Sequence, residues 1–254
     1  MKNKIVSVTQ KDRIDKILVS KKIVKNRKDA VALILSGNVF LNTKIIDKPG
    51  FILPIDSNLQ IKNKKDGTWV SRGGYKLDKA IKYFSLICDN VKALDIGCGS
   101  GGFSDVLLKH GAKKIYCIDV GYGQLDWKIR TNEKVFVFEK TNARYIDEKI
   151  INDTLDIIVC DASFISLKKI LPASLKFLKR SGHLVALIKP QFEIGRNLVG
   201  KGGIVKNPEH HDLVVNDIKN WFTKEINFKV CGVIESPILG SKGNKEFLIC
   251  ALKK

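Results

Sequence analysis

The chain has little methionine, tryptophan and proline, and it has no long apolar run. It contains one Met, three Trp and six Pro in 254 residues. No segment approaches the roughly 18 consecutive apolar residues of a membrane-spanning helix, and the N-terminus lacks the apolar core and cleavage site of a secretory signal. The sequence therefore predicts a cytoplasmic protein without stable membrane insertion.

Closely spaced metal-ligating residues are also missing. Zinc sites use ligand pairs two to four residues apart, whereas the cysteines here are scattered. The adjacent pair His210 and His211 would point to different faces of a helix, so we predict no metal site. The cysteines are expected to be reduced core thiols, at Cys88, Cys98, Cys117, Cys160, Cys231 and Cys250.

Negative charge is scarce in the first quarter of the chain. Residues 1–66 contain 15 Lys and Arg against six Asp and no Glu, and the whole chain has a formal charge of +19. A lysine-rich proteome would give an excess of positive charge along the whole chain. The concentration of that charge in the N-terminal quarter instead favours contact with a polyanion. We predict RNA as the partner, contacted through Arg13, Lys16, Arg27, Lys28 and Arg72.

Residues 1–62 are predicted to form a small basic α+β domain that binds RNA. One amphipathic helix begins near Lys11, and a second runs from Asn26 to a stop at Gly37. Short strands are predicted at 39–42, 44–46 and 58–62. Residues 63–70 are charged and contain a glycine, which is typical of a linker.

Residues 71–254 are predicted to form a larger α/β domain that begins with a helix near 75–86. Apolar strand-like runs then alternate with helical patterns, which favours a doubly wound, Rossmann-like parallel sheet. The last two runs have no helix between them and predict a C-terminal antiparallel hairpin, typical of methyltransferase sheets. The seven predicted strands are 93–96, 114–120, 135–138, 155–160, 183–188, 230–234 and 246–252.

A glycine-rich turn follows the first strand of this sheet. Residues 94–103 read Leu-Asp-Ile-Gly-Cys-Gly-Ser-Gly-Gly-Phe. Sites for NAD, FAD and S-adenosylmethionine all use such turns, and a plain tight turn is the alternative. Asp119, at the end of the next strand, is placed to accept hydrogen bonds from a ribose. Asp95 opens the loop and no further spaced glycine completes a pyrophosphate pattern, so S-adenosylmethionine is favoured.

Four charged residues stand in apolar or small-residue surroundings: Lys76, Asp161, Lys189 and Glu246. Asp161 and Lys189 follow parallel strands, so both should face the ligand crevice; a solvated charge is the alternative for either alone. Transfer of a methyl group to an alcohol needs a base that removes the hydroxyl proton. Burial beside positive charge favours a lysine that has lost its own proton and can act as this base. We predict Lys189 as the base, Lys76 as its modulator, and the two carboxylates as orienting groups.

This ordered set resembles the Lys-Asp-Lys-Glu tetrad of the FtsJ-like (RrmJ-type) ribose 2′-O-methyltransferases. Four longer runs are similar to the TlyA family, namely 70–77, 119–125, 161–166 and 189–193. The runs 13–16 and 36–39 are similar to the RNA-binding module of small-subunit ribosomal protein four.

The resemblance implies an S-adenosylmethionine-dependent ribosomal RNA (cytidine-2′-O)-methyltransferase acting on one or both ribosomal subunits, with haemolytic activity in some members. The chain departs from the family pattern at two places. It has Cys98-Gly99-Ser100 where the family usually has Ala-Ser-Thr, and Gly67 where relatives carry Arg. The resemblance implies that the cofactor is bound by Gly97, Gly99, Gly101, Phe103, Asp119 and Asn142. The residue patterns described above add Asp95 and Asp161 to this cofactor-binding set.

Two other functions stay open on sequence alone. One is a ribosome-assembly or RNA-binding factor that keeps the donor fold without turnover. The other is a membrane-active haemolysin, which the lack of a spanning segment or a strongly amphipathic basic helix disfavours.

Overall fold

The computed structural model describes residues 10–35, 37–42, 44–61 and 69–254. The chain divides into two compact units. One comprises Met1–Asp66 with Tyr122–Lys128, and the other comprises Gly67–Gly121 with Ile129–Lys254. Most of the predicted linker and Gly67 lie outside the described residues.

The N-terminal unit packs two helices with short antiparallel strands. Strand β1 pairs with β4, and β2 lies between β3 and β5. Ile14, Ile17 and Leu18 of the first helix and Leu33 of the second are buried in one apolar core. The elements are β1 (Lys11–Arg13), α1 (Ile14–Ser20), α2 (Arg27–Leu35), β2 (Val39–Leu41), β3 (Lys44–Ile45), β4 (Ile52–Pro54) and β5 (Leu59–Ile61).

Local hydrogen bonds set the ends of α2. The side chain of Asn26 accepts a hydrogen bond from Asp29 N at 3.0 Å, so it satisfies a main-chain donor that the first turn leaves unpaired. Gly37 has φ +73° and donates its N–H to Ile34 O at 3.0 Å, a left-handed helix stop. The predicted stop at Gly37 is therefore confirmed.

The rest of the chain alternates strands and helices. It contains α3 (Gly73–Phe84), β6 (Lys92–Ile96), α4 (Gly102–Lys109), β7 (Lys114–Ile118), α5 (Trp127–Arg130), β8 (Val135–Phe138), β9 (Leu155–Cys160), α6 (Leu167–Ile170), α7 (Pro172–Leu175), β10 (Leu178–Ile188), α8 (Pro190–Glu193), α9 (Pro208–Asn220), β11 (Phe228–Glu235) and β12 (Phe247–Lys253). Among the described residues, none of these helices has both the length and the apolar character needed to cross a bilayer.

The seven strands of the large unit form one sheet in the order β11-β12-β10-β9-β6-β7-β8. Strands β8, β7, β6, β9 and β10 run parallel to one another, and β12 pairs antiparallel with both β10 and β11. The predicted methyltransferase-type sheet with its C-terminal antiparallel hairpin is confirmed.

Strand β7 ends at Ile118, earlier than the predicted 120, because the next side chain redirects the chain. The carboxylate of Asp119 accepts the N–H of Gly121 at 2.7 Å, closing a tight turn directly after the strand. Apolar content alone could not reveal this turn, since Val120 continues the apolar pattern although it is exposed.

Candidate active site

The predicted site residues follow the carboxyl ends of the central parallel strands. Gly97 comes after β6, Asp119 after β7, Asp161 after β9 and Lys189 after β10. The register aligns Ile96 with Cys160, and Asp161 N donates to Ile96 O at 3.0 Å. This edge of an open α/β sheet is where ligands bind in such folds.

Two lysines and two carboxylates form a continuous ionic cluster at this edge. Lys76 Nζ lies 2.8 Å from Glu246 Oε2 and 3.5 Å from Asp161 Oδ2. Lys189 Nζ lies 2.7 Å from Asp161 Oδ1, so Asp161 contacts both amines. The structure therefore brings together all four residues predicted from their sequence surroundings.

The topology explains this convergence. Ile188, the last residue of β10, is opposite Phe247, the first residue of β12, so Glu246 lies beside Lys189. Lys76 is in the first turn of α3 and enters the same cluster from the helix. Lys76, Lys189 and Glu246 are all buried, and buried charges of this kind persist only when they are paired.

Lys189 has two further hydrogen bonds that hold its amine in place. It donates to Ser163 Oγ at 2.7 Å and to the main-chain O of Asp161 at 3.1 Å. The sequence analysis did not assign a role to Ser163, although its place two residues after Asp161 is a usable signal. The lysine amine is therefore positioned by three oxygen atoms from one loop.

Glu246 is packed against the main chain of Gly240. A Cβ at position 240 would collide with the Glu246 carboxylate, so only glycine permits this approach. Gly240 N also donates to Asn244 O at 2.9 Å, which closes the loop before β12. Sequence reasoning missed Gly240 because the glycine requirement comes from a residue six positions away.

The glycine-rich turn lies at the same sheet edge and is held by Asp119. Asp119 Oδ2 accepts the N–H of Gly99 at 2.8 Å. Gly97 has φ +73°, and a Cβ there would lie 2.8 Å from Ala162 Cα, so it must be glycine for both reasons. Gly99 also has positive φ, but a Cβ there would meet open space, which leaves room for a ligand to approach.

The other predicted cofactor residues have different surroundings. Gly101 has φ +89° and precedes α4, and Phe103 is buried in the first turn of that helix. The segment before Asn142 lies beside Asp119, since Thr141 N donates to Asp119 O at 2.9 Å. The oxygen of Asn142 accepts the N–H of Arg144 at 3.1 Å.

Asp95 lies near the end of β6 and is buried beneath the glycine-rich turn. It is fully buried, and Ser104 Oγ in α4 donates to its Oδ2 at 2.6 Å. Burial raises the pKa of Asp95 to about 7. The carboxylate thus ties the end of β6 to α4 and lies under the turn, in contrast to Asp119.

The predicted RNA-contacting residues differ in their partners and in their exposure. Arg13 donates to both oxygens of Asp15 at 3.1 and 3.0 Å, and Arg27 Nε donates to Asp15 Oδ2 at 2.9 Å. Lys16 forms a surface ion pair with Asp12, and Lys28 is exposed on α2. Arg72, just before α3, is exposed with its Nη2 3.5 Å from Leu239 O. Sequence reasoning missed Asp15, the buried partner of both arginines.

Comparison with known proteins agrees with this geometry. The sequence profile of the FtsJ-like methyltransferase matches residues 69–253, which is most of the chain. The chain belongs to the FtsJ-like methyltransferase family. A second profile, the S4 domain, matches residues 12–58. Within the described residues, no group of three or more His, Cys, Asp or Glu could hold a metal ion.

Three relatives extend the match to nearly the whole chain. The 16S/23S rRNA (cytidine-2′-O)-methyltransferase TlyA of Mycobacterium tuberculosis is 36% identical over 95% of this chain and 90% of its own. Hemolysin A of Brachyspira hyodysenteriae is 41% identical over 93% of this chain and 98% of its own. A solved structure from Streptococcus thermophilus, described as a candidate hemolysin, is 38% identical with a TM-score of 0.71, covering 97% of this chain and 90% of that one.

Proposed function

We propose that this protein transfers a methyl group from S-adenosylmethionine to the 2′-hydroxyl of a cytidine in ribosomal RNA. The observation that carries the proposal is the ionic cluster of Lys76, Asp161, Lys189 and Glu246 beside the glycine-rich turn. The substrate is inferred from TlyA of M. tuberculosis, named as an rRNA (cytidine-2′-O)-methyltransferase, and from the S4 match.

The residues at the sheet edge fit S-adenosylmethionine. Each oxygen of Asp119 accepts one main-chain N–H, which leaves lone pairs for ribose hydroxyls. The open space at Gly99 admits a ligand against the main chain. We assign cofactor contacts to Gly97, Gly99, Gly101, Asp119, Asn142 and Asp161, with Asp95 and Phe103 holding the turn and α4 in place.

When bound, S-adenosylmethionine supplies a methyl group on a positively charged sulfur. Lys189 Nζ would accept the proton of the ribose hydroxyl that receives this methyl group. Ser163 and Asp161 fix the direction of the Lys189 amine, so the proton acceptor is in place before the substrate arrives.

The charge balance of the cluster supports Lys189 as the base. Ionised Asp161 and Glu246 carry two negative charges, and Lys76 carries one positive charge. The sulfonium of a bound donor would add a further positive charge beside this cluster. We therefore assign Lys76 as the electrostatic modulator of Lys189.

We assign RNA capture to the N-terminal region. Residues 1–62 would form the RNA-binding domain, 63–70 the linker and 71–254 the methyltransferase domain. Lys16 and Lys28 are exposed, and the guanidinium groups of Arg13 and Arg27 are partly exposed although they are bonded to Asp15. Arg72 is exposed one turn before Lys76, which suits a phosphate close to the reacting ribose.

The direct test is Lys189→Ala with purified protein, labelled S-adenosylmethionine and ribosomal subunits from cells that lack this protein. Losing a general base should lower turnover by about 10²–10⁴-fold while the affinities for donor and RNA change little. Lys168→Ala is a matched control, because Lys168 also pairs with a carboxylate, Asp217, but at the surface. Substantial turnover by Lys189→Ala would rule out this base.

The target nucleoside needs a separate measurement. Mass-spectrometric mapping of ribosomal RNA from cells with and without the protein should show a cytidine ribose methylation that depends on it. Methylation that depends on the protein but lies on another nucleoside would correct the substrate and leave the reaction type intact. An assembly factor without turnover predicts RNA binding and no such methylation.

A further inference from the structure

Two cysteines lie side by side on the C-terminal hairpin, outside the candidate active site. Cys231 is in β11, the edge strand of the sheet, and Cys250 is in its neighbour β12. Val230 is opposite Ala251 and Gly232 is opposite Cys250, so Cys231 is the extra residue of a β-bulge. At a bulge two residues oppose one, which places Cys231 and Cys250 next to each other across the strands.

This placement suits a disulfide. Opposed residues in antiparallel strands have Cα atoms about 4.5–5.5 Å apart, and disulfides use about 4.4–6.8 Å. Cys231 shares with its neighbour Gly232 the place opposite Cys250, so its Cα lies near this range. The two thiols already interact: burial, together with the neighbouring Cys231 thiol, raises the pKa of Cys250.

The two thiols differ in accessibility. Cys231 is exposed, whereas Cys250 is fully buried. An oxidant in solution can therefore reach Cys231, and the buried thiol beside it can complete the reaction. An exposed thiol next to a second thiol is the usual arrangement of a reversibly oxidised cysteine site.

A second thiol pair in the chain gives an internal comparison. Cys98 and Cys117 interact beneath the glycine-rich turn, but both are buried. Buried thiols without an exposed partner are shielded from oxidants, so this pair should react more slowly. Proximity is common to both pairs, and accessibility distinguishes them.

We propose that Cys231 and Cys250 form a reversible disulfide modification site, with Cys231 as the thiol that a peroxide attacks and Cys250 as the resolving thiol. In the first step a Cys231 S–O bond forms, the O–O bond of the peroxide breaks and one water leaves. In the second step the Cys250 sulfur attacks the sulfenic acid, the S–S bond forms, the S–O bond breaks and a second water leaves. The thiols lose two hydrogens and two electrons, which reduce the peroxide, and a dithiol reductant reverses the change.

The cross-link would close the segment that carries Glu246. The chain leaves β11 after Glu235, passes Gly240 and returns through Glu246 into β12. Joining Cys231 to Cys250 ties the two ends of this segment at the sheet edge. The modification would therefore act on the stability of the hairpin that supports the active-site carboxylate, and it is independent of which RNA is methylated.

The test is peptide mapping of the full-length protein after treatment with hydrogen peroxide and alkylation of the remaining thiols. Trypsin cleavage after lysine separates the two residues into peptides 230–242 and 246–253, so a disulfide joins two distinct peptides. We expect two of the six thiols to be lost, the joined peptides to appear, and dithiothreitol to restore both.

Two variants make the result decisive. Cys231→Ser, at an exposed position, should leave Cys250 reduced under the same treatment. Cys250→Ala should trap Cys231 as a sulfenic acid that a dimedone probe labels. Over-oxidation of Cys231 with a free Cys250 thiol in the wild type, loss of Cys250 in Cys231→Ser, or a Cys98–Cys117 disulfide in place of the hairpin disulfide would each overturn the proposal.

Discussion

Each of the two units contains an aspartate that pairs with two basic side chains, Asp15 in one and Asp161 in the other, and the two pairings differ in which partner is exposed. In the N-terminal unit Asp15 is fully buried, while its partners Arg13 and Arg27 keep 41% and 61% of their side-chain surface exposed. In the large unit the aspartate is more exposed than its two basic partners. Asp161 is 19% exposed, and its partners Lys76 and Lys189 are 9% and 8% exposed.

This reversal has chemical consequences. An arginine in a protein stays protonated, so the Asp15 contacts can only hold structure. A lysine amine, unlike a guanidinium group, can give up its proton when it is buried or lies near another positive charge. The paired aspartate is therefore a fixed clamp in the N-terminal unit, and in the large unit it lies in the cluster that we propose as the proton-transfer site.

The largest expected effect is that of Asp161→Asn. Removing this charge leaves Lys189 without its carboxylate and Lys76 with Glu246 alone, which alters the charge balance of the proposed site. Turnover should fall by about 10²–10⁴-fold, and the free energy of unfolding by about 3–5 kcal/mol because a buried pair is broken. Both are measured with the methyl-transfer assay and with denaturant unfolding.

Asp15→Asn is the matched control for that change. It removes the same charge from a carboxylate that pairs with two arginines, and it should leave donor affinity unchanged because Asp15 makes its contacts within the N-terminal unit. Equal losses of donor binding in the two variants would show that the contrast between clamp and reactive site is false.

The comparison also shows what the sequence could and could not predict. Lys76, Asp161, Lys189 and Glu246 were identifiable because each charge interrupts apolar or small surroundings, and the parallel strand order then implies that Asp161 and Lys189 share an edge. Asp15, Ser163 and Gly240 were missed. Their roles depend on which side chain meets them across a helix or loop, and hydrophobic periodicity carries no such information.

Strands also differ in how well the sequence predicts them. The strands of the large sheet are apolar runs bounded by turn residues, so their existence was predictable. Strand β1 is Lys-Asp-Arg and lies where a helix was predicted to begin; the helix starts at Ile14 instead. Strand β4 also has three residues and ends in Pro54. Such short segments have no detectable alternation, and only pairing with each other makes them strands.

The second expected effect is on the stability of the N-terminal unit in Asp15→Asn. An amide carries no negative charge and has one acceptor oxygen in place of two, so it cannot accept all three hydrogen bonds from the arginines. The free energy of unfolding should therefore fall by about 1–3 kcal/mol at neutral pH. Asp12→Asn is the control, since Asp12 pairs with Lys16 at the surface and should change stability by less than about 1 kcal/mol. Thermal unfolding followed by circular dichroism measures both.

Acid should reproduce the Asp15→Asn effect in the wild type. The hydrogen bonds from Arg13 and Arg27 lower the pKa of Asp15 to about 2, despite the opposing effect of burial. A lowered pKa means that the stabilisation is complete above the unfolded value of about 3.9 and is lost as the pH falls towards 2. The stability difference between wild type and variant should shrink over that window; a constant difference would show that Asp15 is not the titrating group.

The smallest expected effect distinguishes the basic residues of the N-terminal unit from one another. Lys28 is exposed on α2, so Lys28→Ala should leave stability within about 0.5 kcal/mol and weaken RNA binding by removing one phosphate contact. The slope of log affinity against log salt should fall by about 0.7–0.9, as expected for one lost contact. Arg13→Ala should instead lower stability, because Arg13 supplies two of the hydrogen bonds to buried Asp15. If Arg13→Ala changes only the salt slope and Lys28→Ala only the stability, the assignment of Arg13 to the clamp and of Lys28 to phosphate contact is reversed.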